Sequence, residues 1–120
     1  MSIAYWLPTP EEHDYPAAAS YLLLLMPSHT VDSLVARLRS TPISHFKAKD
    51  IFRAAQLPRL GTENKHVKHH LNKILAGELL SPILLVRAAF QNPLIIADGY
   101  HRLCAVYIHD EDQLIPCKII

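Results

Sequence analysis

Asp98-Gly99-Tyr100-His101-Arg102 is where this chain crowds together side chains able to hold a phosphate and move a proton. The stretch follows the apolar run Leu94-Ile95-Ile96-Ala97 and precedes Leu103, so it reads as a buried strand passing through a tight turn into a helix. The first turn of a helix presents backbone N–H groups without intrahelical acceptors, at the positive end of the helix dipole, and an anion is stabilised there. An imidazole and a guanidinium at that place add charge-assisted donors matched to phosphate. On this reading Gly99 lets the backbone approach, Tyr100, His101 and Arg102 hold phosphate oxygens, and Asp98 is a metal ligand or general base, with His101 the second group for proton transfer. The same residues also fit a plain structural joint, in which Asp98 caps the helix and Arg102 extends into water.

Other chemistry-bearing residues must be brought to this corner by neighbouring elements. Phe46 to Phe52 alternates weakly, which predicts a strand whose end carries Lys49, Asp50 and Arg53 to a second wall of the pocket. A helix opens at Glu63 or Asn64, with Val67, Leu71, Ile74 and Leu75 as its apolar stripe, and stops at Gly77. Lys65, His66, Lys68 and His69 line its exposed side, where they could meet nucleic-acid phosphates without any chemistry of their own. His66 and His70 have a metal-compatible spacing, but no third ligand accompanies them and no metal site is assigned.

Ile83–Val86 and Leu94–Ala97 read as strands buried on both faces, followed by a helix from Tyr100 to His109, an acidic loop Asp110-Glu111-Asp112 and a final strand from Ile115. Upstream, Met1 to Tyr15 reads as an irregular arm, and Pro16 opens a helix running to Met26. Ser28 or Thr30 caps a second helix that ends at Thr41-Pro42. Both element types interleave, so the class is α+β or α/β.

With 120 residues, half of them apolar, the chain forms a single core of ordinary size. Its two cysteines, Cys104 and Cys117, match neither a disulfide framework nor a metal spacing and read as buried thiols of a reducing compartment. Leu22–Met26 is far too short to span a membrane and no basic residue precedes it, so the expectation is a cytoplasmic protein without membrane contact. Charge is uneven: no lysine or arginine precedes Arg37, whereas from Arg37 to Gly77 nine of them face only Asp50 and Glu63. Such a stretch attracts a polyanion or nucleotide, or forms a solvated face balancing the acidic N-terminus.

From about residue 43 onward the order of segments resembles the fold shared by ParB N-terminal domains and sulfiredoxin. The resemblance is carried by Phe46 to Arg53, Val67 to Leu75, Ser81-Pro82-Ile83-Leu84-Leu85-Val86-Arg87, Leu94 to Arg102 and Ile115-Pro116-Cys117-Lys118-Ile119. Asp98-Gly99-Tyr100-His101-Arg102 is similar to the Asp-Gly-His-His-Arg form found in many ParB-like proteins, including free serine kinases. The resemblance implies an α+β class, a small mixed sheet flanked by helices over residues 43–120, with residues 1–42 a helical extension packed on that core as one compact unit. It also implies that the turn binds nucleotide phosphates, with ATP, ADP or CTP and Mg2+ as ligands, and that Arg53 resembles the arginine after the first strand of sulfiredoxin. Activities in the family range over DNA clamps, nucleases, a kinase and a sulfinic-acid reductase, so the fold does not choose among them. Sulfiredoxin chemistry needs a cysteine where this chain has Tyr100, and Cys104 lies one helical turn away. A phosphotransferase or hydrolase, a nuclease or nucleic-acid-binding module, and a protein-interaction module using residues 17–40 all remain open.

Overall fold

Residues 83–86, Ile-Leu-Leu-Val, are apolar at every position because the strand they form is covered on both faces. Ile83 and Leu85 enter one core with Ile51, Phe52, Val67, Ile74, Leu103 and Val106, whereas Leu84 and Val86 enter a second with Tyr15, Leu22, Val31 and Leu38. The two-residue period of a strand thus sorts a single apolar run into two layers.

The computed structural model describes residues 3–90 and 92–120, so Met1 and Ser2 of the expected N-terminal arm lie outside it. Its elements are β1 (Tyr5–Trp6), α1 (Asp14–Leu22), α2 (Ser28–Ser40), β2 (Ser44–Lys47), α3 (Ala48–Ala55), α4 (Lys65–Leu75), β3 (Leu79–Leu80), β4 (Ile83–Val86), β5 (Ile95–Asp98), α5 (Tyr100–His109) and β6 (Leu114–Ile119). The main sheet is mixed and four-stranded, in the order β2-β6-β4-β5, with β4 parallel to β6 and the two outer pairs antiparallel. Helices α3, α4 and α5 fill one face and α1 and α2 the other, so the class is α+β and the N-terminal helices supply a whole layer. Among the described residues no helix is long and apolar enough to cross a membrane.

Four expectations change, the first being that the helix expected from Pro16 to Met26 spans Asp14–Leu22. The strand foreseen over residues 46–52 stops at Lys47, and α3 follows at once, because Ala48, Ile51, Phe52 and Ala55 are buried at helical spacing. Its first amides are satisfied from another part of the chain: Ala48 N–H donates to the Gln113 carbonyl and Lys49 N–H to that of Glu111. The N-terminal arm contributes β1, which pairs in parallel with β3 through Tyr5 and Leu79 and through Trp6 and Leu80. Helix α2 carries Pro27 at its N-cap and no side-chain cap, so neither Ser28 nor Thr30 plays that part.

Candidate functional site

Gly99 sits where β5 becomes α5, at φ 109°, a conformation that side chains rarely adopt. It is the N-cap residue and no side chain caps α5, which leaves the amides of the first turn able to meet an acceptor. Asp98 is therefore not the cap. Its Oδ2 accepts a hydrogen bond of 2.8 Å from Arg102 Nη2, one helical turn on.

Arg102 is not extended into water: its side chain is 12% exposed, and Nη2 also lies 3.6 Å from Oδ2 of buried Asp14, delivered by α1. Asp14 in turn accepts a hydrogen bond from the Ser81 hydroxyl, and its Oδ1 is 3.3 Å from His13 Nε2. Burial raises the Asp98 pKa and the Arg102 guanidinium opposes that rise, as expected where buried Asp14 and half-buried Asp98 share one cation. Arg102 Nε is buried without a hydrogen-bond partner among the described residues. The guanidinium is thus held between Asp14 and Asp98 behind the turn.

In front of the turn stand imidazoles. His101, second in α5, has its ring centroid 5.0 Å from that of His66, second in α4, and 5.6 Å from the Tyr100 ring. Asn64 sets the start of α4, its Oδ1 accepting from the amides of His66 at 2.9 Å and Val67 at 3.2 Å. We expect Asn64→Ala to lower stability by about 1 kcal/mol, read from thermal melts, as loss of an N-cap does. Tyr100 donates its phenolic hydrogen to the Pro58 carbonyl, pinning α5 to the loop before α4.

Burial, and then His66, lowers the His101 pKa. One turn down α4, burial and the surrounding Arg102, His69, Lys73 and His101 lower the His70 pKa to about 4, and its Nδ1 is buried without a hydrogen-bond partner among the described residues. Lys65, His66, Lys68 and His69 are all exposed along α4.

Lys49, Asp50 and Arg53 do not form one wall, because a helix sends them to different flanks. Lys49 and Arg53 line a hollow of about 400 Å³ with Phe52, Arg59 and Tyr107, whereas Asp50 lines another of about 570 Å³. Lys49 Nζ is 2.5 Å from Asp112, a pair that raises the lysine pKa and lowers that of the aspartate. Arg53 is 86% exposed and 3.5 Å from Asp50. Neither hollow is lined by residues 98–102. Asp14, Ser81 and Arg59 were not singled out by sequence reasoning; the one local sign for Asp14 is an acid in the first turn of a helix.

Among the described residues no trio of His, Cys, Asp or Glu is placed to hold a metal ion. Cys104 and Cys117 are free and buried, and burial raises both thiols, Cys117 to about 11. Comparison of the chain with protein-family models, curated proteins and solved structures returns no match.

Proposed function

We propose that this chain binds the phosphate end of a nucleotide, or another phosphorylated ligand, where α5 and α4 begin. The observation that carries the reading is the 5.0 Å ring contact between His66 and His101, each the second residue of its helix. It sets two helix N-termini side by side. Two positive dipole ends in contact are mutually unfavourable, and an anion between them relieves this. The uncapped amides of α5, approached across Gly99, and the two imidazoles are the donors. Arg102 is engaged by Asp14 and Asp98 and is not counted among the donors; its part here is to hold those two carboxylates in place. The likeness of residues 43–120 to ParB and sulfiredoxin domains supports the same corner, with ATP, ADP or CTP and Mg2+ as the ligands to try. For a phosphotransferase or hydrolase, His101 is the proton acceptor, since the Asp98 carboxylate is engaged by Arg102.

The proton linkage has a definite sign. An anion beside His101 favours its charged form and raises its pKa, so binding takes up a proton. The added affinity is fully present below the pKa of the free protein and is lost as pH rises through the pKa of the complex. Calorimetry and thermal shift with inorganic phosphate, ATP, ADP and CTP, with and without Mg2+, at about pH 6 and about pH 8, should show tighter binding at the lower pH. His101→Ala and His66→Ala should each weaken it about tenfold. No response to any of these anions at either pH would sink the reading.

Nucleic-acid binding is favoured by one observation: the exposed Lys65, Lys68 and His69 continue the imidazole pair along α4. Several phosphate contacts there predict a steep fall of oligonucleotide affinity with salt, whereas a single bound nucleotide responds less.

A further inference from the structure

Helix α3 has a second flank, away from the basic hollow, where Asp50, Ile51 and Ala54 face the ends of β4 and β6 and the connection from β4 to β5. The hollow there measures about 570 Å³ and is lined mainly by Phe46, Ile51, Leu85, Leu94 and Ile119. That volume falls in the ~300–1,000 Å³ range of small-molecule sites, which are mostly apolar with a few placed polar groups. Its floor is core, since Ile51 and Leu85 are buried. Its rim leaves two aromatic rings in water, Phe46 at 40% exposure and Phe90 at 93%. Polar groups are few: Asp50, paired with Arg53 at 3.5 Å, Asn92, and Arg87, which is exposed and has no ion pair among the described residues.

We propose that this hollow binds a small amphipathic anion, its aromatic or branched aliphatic body against Phe46, Ile51, Leu85, Leu94 and Ile119 and its carboxylate or sulfonate on Arg87. The charge argues for this occupant. Arg87 is the cation of the lining without an ion pair among the described residues, and a guanidinium beside an apolar cavity pairs with a carboxylate or a sulfonate through two parallel hydrogen bonds to two of its oxygens. Neither α4 nor the α5 N-terminus lines the hollow, so the proposal stands apart from the phosphate reading.

Anilinonaphthalene sulfonate, an aromatic body bearing one anion, is the probe, and phenylnaphthylamine, the same kind of body without the charge, is its control. Fluorescence titration of the whole chain should show saturable binding of both. Arg87→Glu should weaken the sulfonate about tenfold or more and leave the neutral probe within about twofold. Ala54→Trp, which fills the hollow from an exposed helix position, should abolish both, and His101→Ala should change neither. Phe46→Ala, at an exposed site, serves if the tryptophan variant fails to melt cooperatively, and should weaken both probes. Unsaturable fluorescence, or equal loss of the two probes in Arg87→Glu, overturns the proposal. So does self-association of the parent that Ala54→Trp and Arg87→Glu abolish, which assigns the face to a second copy of the chain.

Discussion

Arg102→Met is expected to cost about 3–5 kcal/mol of folding stability, the scale seen when one member of a buried ion pair is removed and its partner is left uncompensated. Here two carboxylates lose the same cation, Asp98 at 2.8 Å and Asp14 at 3.6 Å. Methionine keeps most of the buried stem, so the loss reports charge rather than volume. Urea denaturation of the variant beside a triple variant with Asp14→Asn and Asp98→Asn should return most of the deficit, because neutral amides do not need the guanidinium. The deficit also depends on pH. Burial already holds the Asp98 pKa above that of the unfolded chain, and removing Arg102 lifts it further. A raised acid pKa contributes stability that is present below the unfolded value and lost as pH rises through the folded value. The variant should therefore recover as the solution is acidified below neutrality. A cost under about 1 kcal/mol, as for an exposed pair, would show that the cation is not what holds the two carboxylates in place.

Gly99→Ala is the second large effect, with an expected cost of about 2–4 kcal/mol in the same measurement, combining backbone strain with overpacking. A Cβ at this position would lie 2.9 Å from Ile83 Cγ1 and 3.0 Å from Arg102 Nη2, on a backbone at φ 109°. Gly77 provides the comparison. It too has positive φ, at 75°, but a Cβ there meets nothing within 4 Å. Gly77→Ala should thus cost only the conformational part, about 1–2 kcal/mol. If the two glycines prove equally replaceable, the close approach of Ile83 and Arg102 to the turn is not tight. Phosphate binding, read alongside, should suffer in Gly99→Ala and persist in Gly77→Ala.

These two predictions mark what the sequence made legible and what it did not. Local signals carried far. Asn64 before an apolar stripe announced α4, and the apolar runs announced β4 and β5. The Asp-Gly turn after an apolar run announced α5, which spans Tyr100–His109 as read. Helix α3 was hidden because half of its buried stripe is alanine, Ala48 and Ala55, which a two-residue alternation tolerates as easily as a helical one. That misreading scattered the expected second wall, since residues 49 and 53 share one helix flank while 50 and 54 share the other. The partner of Arg102 was hidden for another reason. Asp14 belongs to α1, and nothing local in the sequence says that α1 docks beside β5. The meeting of His66 with His101 is of the same kind. It exists because α4 and α5 pack with their starts together; His66 is exposed as read, but no local signal says that α5 begins beside it.

The placement of β6 has a bearing on how such a chain is made. The segment 114–119 lies between β2 and β4, pairing with each, and β2 has no other neighbour in the main sheet. While the ribosome is still extending the polypeptide toward Leu114, the middle of the sheet is missing. Its flanking strands then wait as unpaired edges, open to association with other nascent chains. Assembly is thereby deferred until the late segment clears the exit tunnel and slides in as a keystone.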